Sequence, residues 1–103
     1  MNISEIIKEL NRLIKEKYSD FKGSYLYGSR TRQDYNENSD IDIVALFDNI
    51  DKDKDFELSG IICDLMYKYD IYIDLQAYTP EKLERNPFYY NEVVGKGIFY
   101  APV

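Results

Sequence analysis

The sequence predicts an α+β domain, a small mixed β-sheet with helices packed mainly on one face. Three observations carry that prediction. Apolar residues recur at helical spacing in two long segments. Between them lies a strand-like run that is apolar on both faces, and after the second comes a run that alternates cleanly. The element order is α-β-turn-β-α-β-α-α-β, which suits a mixed sheet in one layered domain spanning residues 1–103.

Ile3, Ile6, Ile7, Leu10, Leu13 and Ile14 form the first helical stripe, with Glu5, Lys8, Glu9, Arg12 and Lys15 between them. Asn2 followed by Glu5 suits a capping box, so a helix is expected over about residues 3–18. Ser24 to Tyr27 reads as a short strand ending at Gly28, and Asp34 to Asn38 is polar and turn-forming. "DIDIVALF", Asp40 to Phe47, is apolar on both faces beyond Asp42 and is expected at the centre of the sheet. The aspartates of "DNIDKDKD" do not make a calcium loop, because Phe56 and Ile62 stand where Gly and Glu are needed. That run reads as solvated surface and helix cap.

Leu58, Ile61, Ile62, Leu65, Met66 and Tyr69 predict a second helix over about 55–69. In "IYIDLQAY", Ile71, Ile73, Leu75 and Ala77 share one face, while Tyr72, Asp74, Gln76 and Tyr78 share the other. Thr79 and Pro80 begin a short helix in the preferred cap and first-turn order. Pro87 separates it from another, and "GKG" ends that one before a final "IFY" strand.

Composition excludes whole classes of chemistry. With no histidine in the chain, a Ser-His-Asp triad, a histidine zinc ligand and a zinc-deaminase signature are all ruled out. The single cysteine, Cys63, sits in "GIICDLM" and reads as a small buried hydrophobe. A net charge of −6 argues against a broad basic nucleic-acid face, so no direct nucleic-acid binding is expected. The N-terminus is broken by charges every few residues, which fits neither a signal peptide nor a membrane span and predicts a cytoplasmic protein. Eleven tyrosines can pack their rings while keeping hydroxyls wet, as contact surfaces often require.

The polar chemistry gathers in "YGSRTRQDYNENSDID", Tyr27 to Asp42. Gly28 ends a strand and lets backbone N–H groups approach a phosphate closely, and Ser29 adds a hydroxyl donor. Arg30 and Arg32 offer forked, charge-assisted contacts to phosphate oxygens, although each alone is equally well a solvated charge. Asp40 and Asp42 project from one strand face roughly 6–7 Å apart and repel without a cation. Two Mg²⁺ ions, or Mn²⁺, would relieve that repulsion and bridge a nucleoside triphosphate. Asp74 interrupts its strand as a third carboxylate. It reads either as an exposed edge-strand residue or as a metal ligand or base.

Gly28-Ser29, ten intervening residues and Asp40-Ile41-Asp42 together resemble the glycine-serine and Asp-x-Asp signature of the DNA polymerase β-like nucleotidyltransferases. Within that superfamily the chain resembles the minimal MNT type, the antitoxin half of HEPN–MNT toxin–antitoxin pairs. "YGSRTR", "SDIDIVALF", Asp74 one helix later and the closing "VVGKGIFY" extend the likeness over nearly the whole chain. Gln33 departs from it, standing where such proteins usually carry glycine, which bears on catalytic rate more than on fold.

The resemblance implies a polymerase β-like fold with the metal site on one sheet face. It implies transfer of AMP from ATP to a hydroxyl, with release of pyrophosphate. Gly28, Ser29, Arg30 and Arg32 would hold phosphates, Asp40, Asp42 and Asp74 would bind Mg²⁺, and Asp74 would also serve as base. The implied acceptor is a tyrosine of a HEPN-domain toxin. The alternative is an antitoxin or nucleotide sensor that neutralises its partner by binding alone. Neither reading fixes the oligomeric state, and a homo-oligomer stays open.

Overall fold

The computed structural model describes residues 2–28 and 40–102. Helix α1 (Ile3–Lys17) is followed by β1 (Phe21–Tyr27), β2 (Ile41–Phe47), α2 (Lys52–Tyr69) and β3 (Ile73–Tyr78). Two short helices, α3 (Pro80–Glu84) and α4 (Pro87–Tyr90), lead through a π-helical turn (Asn91–Gly95) to β4 (Ile98–Tyr100). The sheet order is β3-β2-β1-β4. β1 runs antiparallel to both β2 and β4, and β2 runs parallel to β3, with α2 as the crossover that a parallel pair requires. The predicted mixed sheet is present, and the helices and strands follow in the expected order; the turn expected over 34–38 lies outside the described residues.

The two long helices share one face of the sheet. Ile6, Ile7, Leu10 and Ile14 of α1 are buried with Leu58, Ile62 and Leu65 of α2 against Ile41, Ile43, Ala45 and Phe47 of β2. The opposite face holds a smaller cluster, in which Val44 packs with Leu83 of α3 and Val93 of the π-helical turn. β2 is therefore central and covered on both sides, as its apolar run predicts. Ile71, Ile73, Leu75 and Ala77 join the helix-side core and Tyr78 joins the other, so the predicted alternation of β3 holds. Among the described residues no helix is long and apolar enough to cross a membrane.

Several expectations need correcting. Cys63 is exposed rather than buried. On α2 the core stripe is Leu58, Ile62 and Leu65, and one residue beyond Ile62 the helix has turned about 100° outward. α2 also starts one turn earlier than expected, at Lys52, because Asp51 caps it by accepting the N–H of Lys54 at 2.8 Å. Within that supposedly solvated run Lys54 is buried, its ammonium 2.9 and 3.0 Å from the two Asp20 oxygens and 4.6 Å from the Phe47 ring centre. β1 starts at Phe21, ahead of a register shift between Phe21 and Gly23 that breaks the strand pattern in the sequence. The side chain of Asn2 caps through the Ser4 N–H.

Polar ties fix the chain end. The buried Asn11 amide donates to the carbonyls of Tyr100 and Ala101 at 3.1 and 3.0 Å, and its oxygen accepts from the Ser24 hydroxyl at 2.6 Å. Gly97 enters β4 where any Cβ would lie 2.8 Å from the Leu26 carbonyl oxygen, so only glycine lets the chain pass.

Candidate active site

Strand register assembles the site. Asp42 pairs with Tyr27 on one side and Asp74 on the other, so Tyr27, Asp42 and Asp74 form one row across three strands. Residues opposite each other in neighbouring strands project to the same face. That face is the one away from α1 and α2, because the flanking Ile41, Ile43 and Ile73 turn into the helix-side core. The two carboxylates thus stand side by side on adjacent strands, about 5 Å apart by ordinary strand spacing. Gln76 donates from its amide to Asp74 Oδ1 at 3.2 Å.

Gly28 adopts φ +79°, in the left-handed region that favours glycine. A Cβ there would run into the Asp42 carboxylate, so the glycine both turns the chain and clears space for Asp42.

The electrostatics of the row match its geometry. Burial raises the Asp42 carboxyl above its ordinary pKa, and the negative charges of Asp74 and Asp40 raise it further. Burial also raises the Tyr27 phenol, with Asp42 and Asp74 adding to the rise while the bond to Tyr89 opposes it. The hydroxyls of Tyr27 and Tyr89 lie 2.8 Å apart, and Tyr89 packs edge-on against Tyr27 and tilted against Tyr78. Burial, then the Tyr27 bond, pushes the Tyr89 phenol far up. Both phenols therefore stay protonated, and one donates to the other.

The structure brings together Gly28, Asp42 and Asp74 of the expected site residues. Asp40 is exposed one residue before β2. Among the described residues no three acidic, histidine or cysteine groups gather as a metal cluster. Ser29, Arg30, Arg32 and Gln33 lie outside the described residues. The half-buried, mutually repelling Asp42 and Asp74 nevertheless form a donor set that suits a hard divalent cation, which would neutralise both. Sequence reasoning missed Tyr27 and Tyr89. Tyr27 directly precedes the glycine turn, but only the pairing register shows that it borders Asp42.

Two candidate protein adenylyltransferases of Methanocaldococcus jannaschii are similar in sequence. One is 37% identical over 69% of this chain and 74% of its own length, the other 38% over 72% and 71%. Among solved structures, a mutant MntA–HepT toxin–antitoxin complex contains a chain that is 26% identical, with TM-score 0.63, covering 96% of this chain and 71% of that one. A toxin–antitoxin structure with AMP-PNP shares the fold at 24% identity, TM-score 0.67, covering 95% of this chain and 72% of that one. So does a complex of a tri-AMPylated Shewanella oneidensis HEPN toxin with its MNT antitoxin, at 23% identity and TM-score 0.54, covering 89% and 70%. The profile of the nucleotidyltransferase domain matches residues 3–100, and with the row of Asp42 and Asp74 beside a glycine turn the chain belongs to that family of enzymes.

Proposed function

We propose that this protein transfers AMP from ATP to a tyrosine hydroxyl of a HEPN-type partner toxin, acting as its antitoxin. The observation that carries the reading is the in-register pair of Asp42 and Asp74 beside the Gly28 turn. Support comes from the likeness to candidate protein adenylyltransferases and to antitoxin complexes, one with an AMPylated toxin.

In this reading Asp42 and Asp74, with Asp40 at the mouth of β2, hold Mg²⁺ or Mn²⁺. Bound there, the ions neutralise the carboxylates and draw charge from the triphosphate. The N–H groups at Gly28 and Ser29, the Ser29 hydroxyl, and Arg30 and Arg32 hold the phosphates that leave. Asp74 orients the acceptor hydroxyl and takes its proton. The hydroxyl oxygen then bonds to the α-phosphorus as the bond to the β-phosphate oxygen breaks, and pyrophosphate carries away the electron pair.

The experiment is intact mass spectrometry of the purified chain with the HEPN-type partner, ATP and Mg²⁺. AMP-sized additions should appear on the partner and vanish with Asp42→Asn. One observation favours a second reading, in which the chain neutralises its partner by binding alone: Asp40 is exposed and no third acidic group closes on the pair among the described residues. A partner that is inhibited without gaining mass would establish it.

A further inference from the structure

β3 is an outer strand, and among the described residues its one sheet neighbour is β2. The N–H of Ile41 donates to the Tyr72 carbonyl at 3.0 Å. Main-chain groups alternate along a strand, so those of Asp74 and Gln76 face β2 while those of Ile73, Leu75 and Ala77 point outward. Beside this open edge runs a groove of about 520 Å³, floored by Leu58, Ile62 and Met66 of α2 with Leu75 and Ala77 of β3. Cys63 stands on its α2 wall.

An edge with outward main-chain groups, beside a groove whose floor is apolar and whose rim is polar, is the geometry to which an extended segment adds as another strand. We propose that the acceptor polypeptide docks here, as a fifth strand alongside β3. The inference deepens the adenylyl-transfer reading and rests on it for its chemical purpose. Strand addition would deliver the acceptor directly to the site. The incoming residue opposite Asp74 projects to the same face as Asp74, about 5 Å away, where a tyrosine hydroxyl reaches over the carboxylates. Its two neighbours project into the groove and are therefore apolar. Asp55 and Asp74 line the groove against one cation, Lys82, so a neutral or basic segment fits better than an acidic one. The acceptor segment is thus extended, with one hydroxyl residue flanked by apolar ones and lysine or arginine nearby.

The probe is a short synthetic peptide alternating valine with threonine and lysine around one central tyrosine, used at millimolar concentration. Its control carries N-methyl groups on alternate residues and cannot donate to the β3 edge. Without ATP, docking is read by iodoacetamide alkylation of Cys63, the single cysteine of the chain. Alkylation should slow several-fold with the first peptide and stay unchanged with the control. Ala77→Pro removes an outward N–H without touching the β2 ladder, and should abolish the protection while leaving ATP binding intact. Equal protection by both peptides, or by neither, overturns the proposal. So does protection that appears on concentrating the chain alone, because the occupant is then a second copy. With ATP and Mg²⁺, protection without AMP on the peptide leaves docking standing and refutes adenylyl transfer. Transfer that proceeds without protection and survives Ala77→Pro refutes docking alone.

Discussion

Asp42→Asn should make this protein more stable and less active at once. Asp42 and Asp74 are opposite residues on adjacent strands, with Asp40 two residues before Asp42, and among the described residues no ion pair involves Asp42. Two unit charges about 5 Å apart at an effective dielectric of about 20 repel by roughly 3 kcal/mol. The site is half open to water, and solvent and salt cut that to about 1 kcal/mol. Removing it should raise Tm by about 4–8 °C in a domain of this size. The sign follows from linkage. Burial first, then Asp74 and Asp40, raise the folded pKa of Asp42 above its unfolded value, so the native state holds that proton more tightly. The associated stability is present at acid pH and lost as pH rises through the raised pKa, leaving the wild type penalised at neutrality. Melts in EDTA from pH 3.5 to 7.5 should therefore show a variant advantage that grows with pH and shrinks with salt. Nucleotidyl transfer should fall by about 100-fold or more, as expected when a charge-stabilising group is lost. A variant less stable at neutral pH, or an advantage indifferent to pH, would mean that Asp42 is held by a partner rather than repelled. Full activity would make the pair structural.

Gly28→Ala should lose about 1–2 kcal/mol, since alanine pays the strain of a left-handed φ and its Cβ displaces the Asp42 carboxylate; denaturant melts and transfer assays should fall together. Lys54→Met should cost about 3 kcal/mol in urea melts at neutral pH, because it strands a partly buried Asp20. Burial alone would raise the Asp20 carboxyl, but the Lys54 and Asn49 donors outweigh it and hold the group below its ordinary value. The wild-type advantage should therefore fade as pH drops through that lowered pKa. Tyr89→Phe should cost about 1 kcal/mol by removing the partner of the Tyr27 hydroxyl, and should raise the pH at which Tyr27 titrates in ultraviolet difference spectra, because the Tyr89 bond opposes the rise that burial causes; an unchanged melt would show that the bond contributes nothing.

Much of the fold was legible because two periodicities stood out. The 3.6-residue stripe of Ile6, Ile7, Leu10 and Ile14 and the two-residue alternation of Ile73, Leu75 and Ala77 each select one face. Asp42 and Asp74 were legible for a related reason, since each breaks an apolar strand at a position that needs a cause. Most of what failed was set by a partner distant in sequence, and Cys63 failed through the local turn of its helix. Lys54 looks like one more surface charge until Asp20 and Phe47 are placed around it. Cys63 looks buried because its neighbours are apolar, yet helical rotation turns it away from them. Asn11 sits in the buried stripe of α1 and gains its purpose from Tyr100 and Ala101, almost the whole chain away.

The core and the site are also set by the same register. Ile41 and Ile43 are fully buried on the helix side, so Asp42 between them must face the other way. The pairs Tyr27–Asp42 and Asp42–Asp74 then follow from the alignment of three strands, without any bond between the side chains themselves. A slip of β2 by one residue would drive Asp42 into the core and bring Ile41 and Ile43 to the site face. Burying an unpaired carboxylate costs several kcal/mol, so the slipped arrangement is excluded by the same apolar burial that drives folding. The repelling carboxylates can therefore be held together without direct support, because the helix-side core keeps β2 in place.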